Sequence, residues 1–372
     1  MNVSDGQQVQ ATTGTPRFPF FGLAPWAAIL PLAALLALAI APPAGAGLVL
    51  LVLLLGAAIL AAVYHAEVLA HYLGEPFGTL VLALAVTVIE TSLIVSIMLG
   101  EGGSTQALAR DTLIAAIMIT INGIVGVCLL AGGSRHHEQS YTQSGVSLGL
   151  AMLATLAILT LILPNYTVST RGPFYSDSQL TFVAIISLVI YAAFVVAQTL
   201  RHRDHFLHGE PDDHAHEAPV SRAKAFAAAA MLLPALGAVV FLAKALSPSI
   251  ESGVAAAGAP KAVVGIIIAA LVLAPEGFAA IRAARANRVQ TSLNLAIGSA
   301  LATIGLTIPA VAMTALVMDL DLELGLSMSG MLLLGLTLFV ASLTLGTGRT
   351  TLVHGVIHLV IFVTYLFIAL VP

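Results

Sequence analysis

Residues 77–99 read FGTLVLALAVTVIETSLIVSIML, and Glu90, close to the centre, is the only charged residue among these 23. A helix of about 20 mostly apolar residues crosses the hydrocarbon core of a bilayer. The stretch lacks the strict alternation of polar and apolar residues that is typical of membrane barrel strands. It therefore predicts a transmembrane helix that carries one buried acid.

The whole chain has the same character. Of its 372 residues, 59% are hydrophobic and 9% are charged, and the mean hydropathy is +1.02. Soluble domains carry about 25% charged residues. The net charge of −4 comes without a basic stripe, which excludes a nucleic-acid partner, and the single cysteine, Cys128, excludes an intrachain disulfide. We therefore expect an all-α polytopic membrane protein.

Eleven apolar runs of similar length predict about eleven transmembrane helices. They cover residues 24–41, 46–66, 77–99, 111–132, 144–163, 179–200, 224–246, 260–281, 289–318, 326–346 and 350–371. The ninth run is long for one span. Because proline lacks the N–H that a helix needs, Pro309 predicts a kink or break within it.

The most polar internal segment, residues 201–223, carries five histidines among acidic residues and predicts either a metal or pH sensor or a solvated linker. It divides the chain into a tail with a leading helix (1–45), a first five-helix repeat (46–200) and a second five-helix repeat (224–372). An odd number of helices per repeat gives the two repeats opposite orientations, as in inverted-repeat transporters. The binding sites of such transporters lie near the midplane, between the repeats.

Basic residues predict the orientation, because cytoplasmic loops are enriched in Lys and Arg. Eleven spans put the N-terminus and the 2/3, 4/5, 6/7, 8/9 and 10/11 loops on one side. That side carries ten basic residues: Arg17, Arg135, Arg201, Arg203, Arg222, Lys224, Arg282, Arg285, Arg288 and Arg349. The other side carries four: Arg110, Arg171, Lys244 and Lys261. We expect a cytoplasmic membrane protein with the N-terminus in the cytoplasm and the C-terminus outside.

Glu90 and Glu276 lie well inside apolar runs, whereas the other sixteen of the eighteen acidic residues lie in loops or at span ends. A carboxylate in hydrocarbon costs several kcal/mol and normally faces a cavity or a partner. Each glutamate lies in the second helix of its repeat, so inverted symmetry brings the two together. With no basic residue deep in a span, the pair must share protons or hold a cation. The alternative is a protonated carboxyl that hydrogen-bonds between helices.

Neutral oxygens would complete a cation site, since Ca²⁺ takes hydroxyl, amide and carbonyl oxygens beside carboxylates. The candidates are Thr87, Asn122, Ser299, Thr303 and the backbone carbonyl of Leu271. Pro275 leaves that carbonyl without its helical partner. Ser299, Thr303 and Thr307 recur every four residues and form a polar stripe on one helix face, which could also serve helix packing.

Histidines supply a second group of candidates. His354 and His358 lie four residues apart on one face of the last span and could relay protons, bind a transition metal or form a structural pair. A zinc-protease motif needs a glutamate after the first histidine, and Gly355 stands there. His65 and Glu67, at the end of the second span, could line an aqueous mouth and relay protons.

Six stretches carry a family resemblance: YHAE at 64–67, GEPFGTL at 74–80, AVTVIE at 85–90, GGSRHHEQ at 132–139, APEG at 274–277 and SLNLAIGSA at 292–300. Together they resemble the bacterial ChaA-type cation/proton antiporters of the calcium/cation antiporter superfamily. The similarity extends over nearly the whole chain beyond residue 23.

The resemblance implies two inverted five-helix repeats after a leading helix, one exchange-site acid per repeat, and alternating access coupled to the proton gradient. Carried over, the acids are Glu90 and Glu276. Calcium exchangers of the wider family usually carry Gly-Asn shortly before each acid, but Thr87 and apolar residues occupy those places here. Family members often carry a glutamine shortly after the Gly-Ser of the second repeat, and Ala302 stands at that position here. Fewer amide oxygens imply a wider ion range that includes sodium or potassium.

We therefore expect a secondary antiporter, not an enzyme, that exports Ca²⁺, Na⁺ or K⁺ in exchange for H⁺ and needs no resident cofactor. Its partners would be the transported ions and the lipid bilayer, and the sequence does not indicate an oligomeric state. Two alternatives remain. One is a passive cation channel that uses the same acids, and the other is an intramembrane metal enzyme built on His354 and His358.

Overall fold

The fold is taken from a computed structural model, which describes residues 22–40, 43–74, 77–98, 106–201 and 220–371. Residues 1–21 of the expected N-terminal tail and residues 202–219 of the histidine-rich loop lie outside the described residues. So do Glu75 and Pro76 of the GEPFGTL stretch.

The described ranges form eleven apolar helices, which confirms the expected all-α membrane fold. They are α1 (Pro25–Ile40), α2 (Gly45–Leu73), α3 (Phe77–Met98), α4 (Leu108–His136), α5 (Gln143–Tyr166), α6 (Asp177–Arg201), α7 (Arg222–Ala256), α8 (Ala262–Arg285), α9 (Val289–Met318), α10 (Met328–Leu345) and α11 (Leu352–Leu370). Nine of them, α2 and α4 to α11, are long and apolar enough over the described residues to cross a membrane. The 16 residues of α1 rise about 24 Å, which is less than a hydrocarbon core of about 30 Å.

Two helices differ from their sequence prediction, one in where it ends and one in the continuity of its backbone. The helix α7 does not end at residue 246 but continues to Ala256. The polar residues that suggested an end stay helical, and Ser247 donates to Glu251 one turn later at 3.0 Å. The helix α9 runs unbroken through Pro309, so the break expected there is absent from the described range. A proline removes a single N–H, and close helix packing in membrane proteins tolerates that loss.

Three helices contain a short π-helical segment, in which the backbone bonds span five residues instead of four. The segments are Met118–Ile124 in α4, Ile158–Ile162 in α5 and Ala197–Arg201 in α6. Single π turns inside α-helices are rare and occur often at functional sites. The segment in α4 is buried through Gly123 and contains Asn122.

Contacts between loops separate the helix ends into two faces. On one face, strand β1 (Glu138–Ser140), which follows α4, pairs antiparallel with strand β2 (Arg349–Thr351), which precedes α11. On the opposite face, Arg110 at the start of α4 forms an ion pair with Glu323 between α9 and α10. This grouping is the one expected when eleven successive helices alternate in direction.

The helices α4 and α8 lie side by side and run parallel. A Cβ atom at Gly265 would lie 2.8 Å from the backbone of Asp111, and one at Gly277 would lie 3.2 Å from the Ile124 side chain. The contact positions advance together along both helices. Both helices have even numbers, so alternating passage through the membrane gives them the same direction. The helix that carries Glu276 is thus held against the π-helical segment of α4.

The interior and the rim of the bundle differ in the way a bilayer requires. The helices α4 and α9 bury most of their side chains, including Ile117, Met118 and Ile304. The outer helices α6 and α10 instead expose large apolar side chains such as Phe182 and Phe339. Apolar exposure of this extent is unfavourable in water and favourable against lipid.

Candidate functional site

Glu90 lies on α3 with 2% of its surface exposed and faces α9. The Thr307 hydroxyl donates a hydrogen bond to its Oε2 at 3.3 Å, and the Thr303 hydroxyl is a second partner of the carboxyl. Both hydroxyls come from the stripe identified in the sequence. Ser299, the third member, is half-buried one turn before Thr303. This stripe therefore faces an acid, and helix packing is not its sole role.

Glu276 lies on α8, half-buried, and its carboxyl interacts electrostatically with Glu90 and with Glu67. Oε1 of Glu90 and Oε2 of Glu276 are buried, and neither has a hydrogen-bond partner among the described residues. A buried polar atom without a partner costs about 1–3 kcal/mol, and more when it is charged. A proton or a cation at either oxygen would therefore lower the free energy.

Other oxygens lie on the same two helices. Thr87 is buried one turn before Glu90, and the neighbouring Thr91 has a buried hydroxyl without a hydrogen-bond partner in the described part of the chain. On α8, which continues through Pro275, Leu271 is half-buried one turn before that proline. Its carbonyl cannot receive the usual helical N–H because residue 275 has none.

Asn122, expected as a cation ligand, is engaged elsewhere. Its Nδ2 donates to the Thr337 hydroxyl of α10 at 2.8 Å, and its Oδ1 lies 3.0 Å from Nδ1 of His358 on α11. The other ring nitrogen of His358 lies 2.8 Å from the Thr344 hydroxyl. Asn122 and His358 thus hydrogen-bond to each other. Among the described residues, neither forms a hydrogen bond with Glu90 or Glu276.

The remaining histidine candidates separate as well. His354 is half-buried, and its Nδ1 has no hydrogen-bond partner within the described ranges. Both nitrogens of His358 are occupied, which disfavours a metal held by the two rings. No group of three or more His, Cys, Asp or Glu side chains fit to hold a metal occurs among the described residues.

His65 and Glu67 point to different faces of α2. His65 is fully buried, with Nε2 2.9 Å from the Ala27 carbonyl of α1. Glu67 is exposed and interacts electrostatically with Arg282 of α8 and with Glu276. Glu67 is therefore an exposed acid beside α8, whereas His65 joins the leading helix to α2.

Two features escaped the sequence analysis. Thr337 and Thr344 of α10 complete the polar contacts of Asn122 and His358, and the π turn in α4 brings Asn122 to them. The one signal in the sequence was that the two threonines lie seven residues apart, which puts them on one helix face. No known sequence pattern marks a π turn.

Comparison with known proteins adds independent information. The family model described as sodium/calcium exchanger protein matches residues 44–200 and 227–371. The chain is 45% identical over 322 residues to the protein y4hA of Sinorhizobium fredii (strain NBRC 101917 / NGR234), covering 86% of this chain and 87% of that one. It is 36% identical over 308 residues to the sodium-potassium/proton antiporter ChaA of Escherichia coli (strain K12), covering 82% and 83%.

Solved structures agree on the fold. The crystal structure of the H⁺/Ca²⁺ exchanger CAX aligns with a TM-score of 0.71 at 17% identity, covering 92% of this chain and 86% of that one. By name these relatives are an ionic transporter, an antiporter and an exchanger. The chain therefore belongs to the sodium/calcium exchanger protein family, within the calcium/cation antiporter superfamily.

Proposed function

We propose that this chain is a secondary antiporter that exports Ca²⁺, Na⁺ or K⁺ from the bacterial cytoplasm in exchange for protons. Glu90 and Glu276 are the residues that bind both. In this proposal the two glutamates lie where two inverted repeats, residues 46–200 and 224–372, meet. The observation that carries the proposal is the unpartnered buried oxygen on each of two interacting carboxyls.

Charge balance is the first argument. None of the ion pairs formed by the described residues involves Glu90 or Glu276. Two bare carboxylates in a medium of low dielectric constant repel each other strongly, and burial adds a desolvation cost. Protons remove both penalties by neutralising the charge, and a cation removes them by pairing with it. Proton and cation therefore compete for the same oxygens, which is the condition for exchange.

The ligand chemistry is the second argument. Hard cations bind oxygen, and the site offers carboxylates together with the Thr303 and Thr307 hydroxyls. The proposal adds three further ligands. They are Ser299, one turn before Thr303, Thr87, one turn before Glu90, and the Leu271 carbonyl, which Pro275 leaves free next to Glu276. The amide of Asn122 is occupied by other partners. A site with few amide oxygens suits Na⁺ or K⁺ as well as Ca²⁺, and the ChaA relative is named for sodium and potassium.

The route to the cytoplasm is the third argument. Glu67 is exposed and acts electrostatically on Glu276, and Arg282 lies near it. Arg282 belongs to the face that carries ten basic residues by our assignment, which the positive-inside rule places in the cytoplasm. In the proposed cycle a cation passes Glu67, binds the deprotonated pair, and is released outside when the repeats reorient. Protons then replace it.

The test uses everted membrane vesicles with an acid interior and a fluorescent probe of the pH gradient. Na⁺, K⁺ and Ca²⁺ are added separately to vesicles that contain the wild type, Glu90→Gln or Glu276→Gln. We expect at least one cation to collapse the gradient in the wild type and none in either variant. Glu138→Gln is the matched control, because Glu138 is exposed and forms only a surface pair with Arg349 at 3.3 Å.

Each result decides between functions. Wild-type exchange by both glutamine variants, at equal abundance in the membrane, would contradict the paired-glutamate site. Cation flux that carries current but leaves the pH gradient intact would indicate the passive channel instead. The cation that collapses the gradient at the lowest concentration identifies the substrate.

A further inference from the structure

A polar cluster outside the glutamate pair joins α4, α10 and α11. It consists of Asn122, Thr337, Thr344 and His358, which are between 0% and 6% exposed. Its side chains are linked at 2.8 Å (Asn122 to Thr337), 3.0 Å (Asn122 to His358) and 2.8 Å (His358 to Thr344). Buried polar groups in a bilayer normally have a partner, and each of these has at least one.

The contacts determine where the protons lie. Nδ2 of Asn122 donates to Thr337, so its Oδ1 faces His358 and Nδ1 of the ring must donate to it. In a neutral ring Nε2 then accepts, and the Thr344 hydroxyl donates to it. That hydroxyl also lies 2.8 Å from the Val340 carbonyl, and its single proton serves one acceptor at a time. A neutral His358 with its proton on Nδ1 therefore fits the cluster when the Thr344 hydroxyl donates to Nε2 and leaves the Val340 carbonyl to its helical N–H.

The cluster acts on an unusual piece of backbone. Asn122 belongs to the π-helical segment Met118–Ile124, and the Met118 sulfur lies 3.3 Å from both Asn122 Nδ2 and the Thr337 hydroxyl. A π turn is rare inside an α-helix, which indicates that it needs support from its surroundings. The side-chain hydrogen bonds to α10 and α11 supply it.

The same segment contacts the helix that carries Glu276. Ile124, its last residue, lies against Gly277, where an added Cβ would approach Ile124 Cδ1 to 3.2 Å. On its other side α4 is equally close to α11, and a Cβ at Gly126 would lie 3.2 Å from that of His358. A shift of α4 away from α11 would therefore change the position of α8 next to its glutamate.

We propose that Asn122 and His358 are positioning residues for the cation site. Their hydrogen bond holds the π-helical segment of α4 in the one arrangement that places Ile124 against Gly277, and so sets the distance between Glu276 and Glu90. This inference rests on the proposed function, because it assumes that the two glutamates bind the transported cation. It assigns a role in exchange to side chains that touch neither ion nor carboxylate.

The test measures exchange kinetics in the same vesicles for His358→Leu, Asn122→Leu and His358→Gln. Loss of the hydrogen bond should raise the half-saturating cation concentration about tenfold and change the preference among Na⁺, K⁺ and Ca²⁺. The maximal rate should change less. Glutamine can donate to Asn122 and accept from Thr344, so His358→Gln should restore most of the affinity. Thr364→Val is the control, because Thr364 is exposed on the same helix and bonds only to the Val360 carbonyl.

The outcomes separate the two proposals. Wild-type half-saturation and ion preference in both leucine variants would overturn the positioning role, even if Glu90→Gln is inactive as the proposed function requires. Full activity in the glutamate variants would instead remove the proposed function. If the leucine variants do not reach the membrane, Thr344→Val removes one hydrogen bond with little change in volume. The positioning role would also be overturned if Thr344→Val kept the wild-type half-saturating concentration while His358→Gln did not.

Discussion

Replacing Thr307 by valine tests the acid–hydroxyl contact directly. The two side chains have nearly the same shape, so the change removes the hydroxyl that donates to Oε2 of Glu90 at 3.3 Å and leaves packing almost unaltered. Hydrogen bonds to charged groups contribute about 1.5–3 kcal/mol, but 3.3 Å is long for an O–H donor. We therefore take about 1 kcal/mol as the loss.

The direction of the change in cation affinity depends on which form of Glu90, protonated or deprotonated, the hydroxyl stabilises. A donated hydrogen bond stabilises the carboxylate over the protonated carboxyl, so its loss helps the proton in its competition with the cation. A loss of about 1 kcal/mol corresponds to about fivefold in the half-saturating cation concentration at fixed pH. The pH of half-maximal exchange should move upward by about 0.7 units.

Cation titrations of the pH gradient in everted vesicles, repeated at several pH values, measure both quantities. Thr314→Val is the matched control, since Thr314 lies on the same helix and donates only to the Ala310 carbonyl at 2.9 Å. A half-saturating concentration and pH profile identical to the wild type in Thr307→Val would refute the argument. Equal shifts in the control and in Thr307→Val would assign the effect to α9 as a whole.

Two further predictions, one on the contact between α4 and α8 and one on an ion pair, are checked by thermal unfolding in detergent. Gly265→Ala should lower the melting temperature by several degrees, because its Cβ would lie 2.8 Å from the α4 backbone at residues 111–112, which cannot yield. Gly277→Ala should be milder, since its Cβ meets the end of a flexible side chain at 3.2 Å; an equal loss in both variants would contradict this. Arg110→Gln should destabilise the opposite face by leaving Glu323 half-buried and unpaired, and adding Glu323→Gln should restore part of the loss.

Local patterns in the sequence were enough to predict the helices and to select the two acids. Hydropathy acts over about 20 residues, and a charge within such a run stands out without any tertiary information. The stripe at Ser299, Thr303 and Thr307 was visible for the same reason, because helical spacing alone puts the three on one face. That this face meets Glu90 could not be read from spacing, since the contact joins residues 217 apart.

The remaining differences arise where tertiary packing overrides local preference. The polar residues after Leu246 resemble a loop, yet α7 continues through them with internal side-chain bonds. Asn122 was a candidate cation ligand because it is an amide within a span, and that role stays a prediction. Its hydrogen-bond partners Thr337 and His358 are 215 and 236 residues away in the chain. Asn122 lies within a π turn that residue propensities do not predict.

The geometry of the glutamate pair bears on coupling as well as on binding. An antiporter loses its gradient if the empty site reorients, so the empty, doubly charged state must be rare. Two interacting carboxylates with unpartnered buried oxygens have a high free energy when bare, whereas a salt-bridged or fully hydrogen-bonded pair would be stable when empty. The hydroxyls of Thr303 and Thr307 moderate this cost without cancelling it. In the proposed cycle, incomplete satisfaction of the pair is therefore the property that would make each transit carry either protons or a cation.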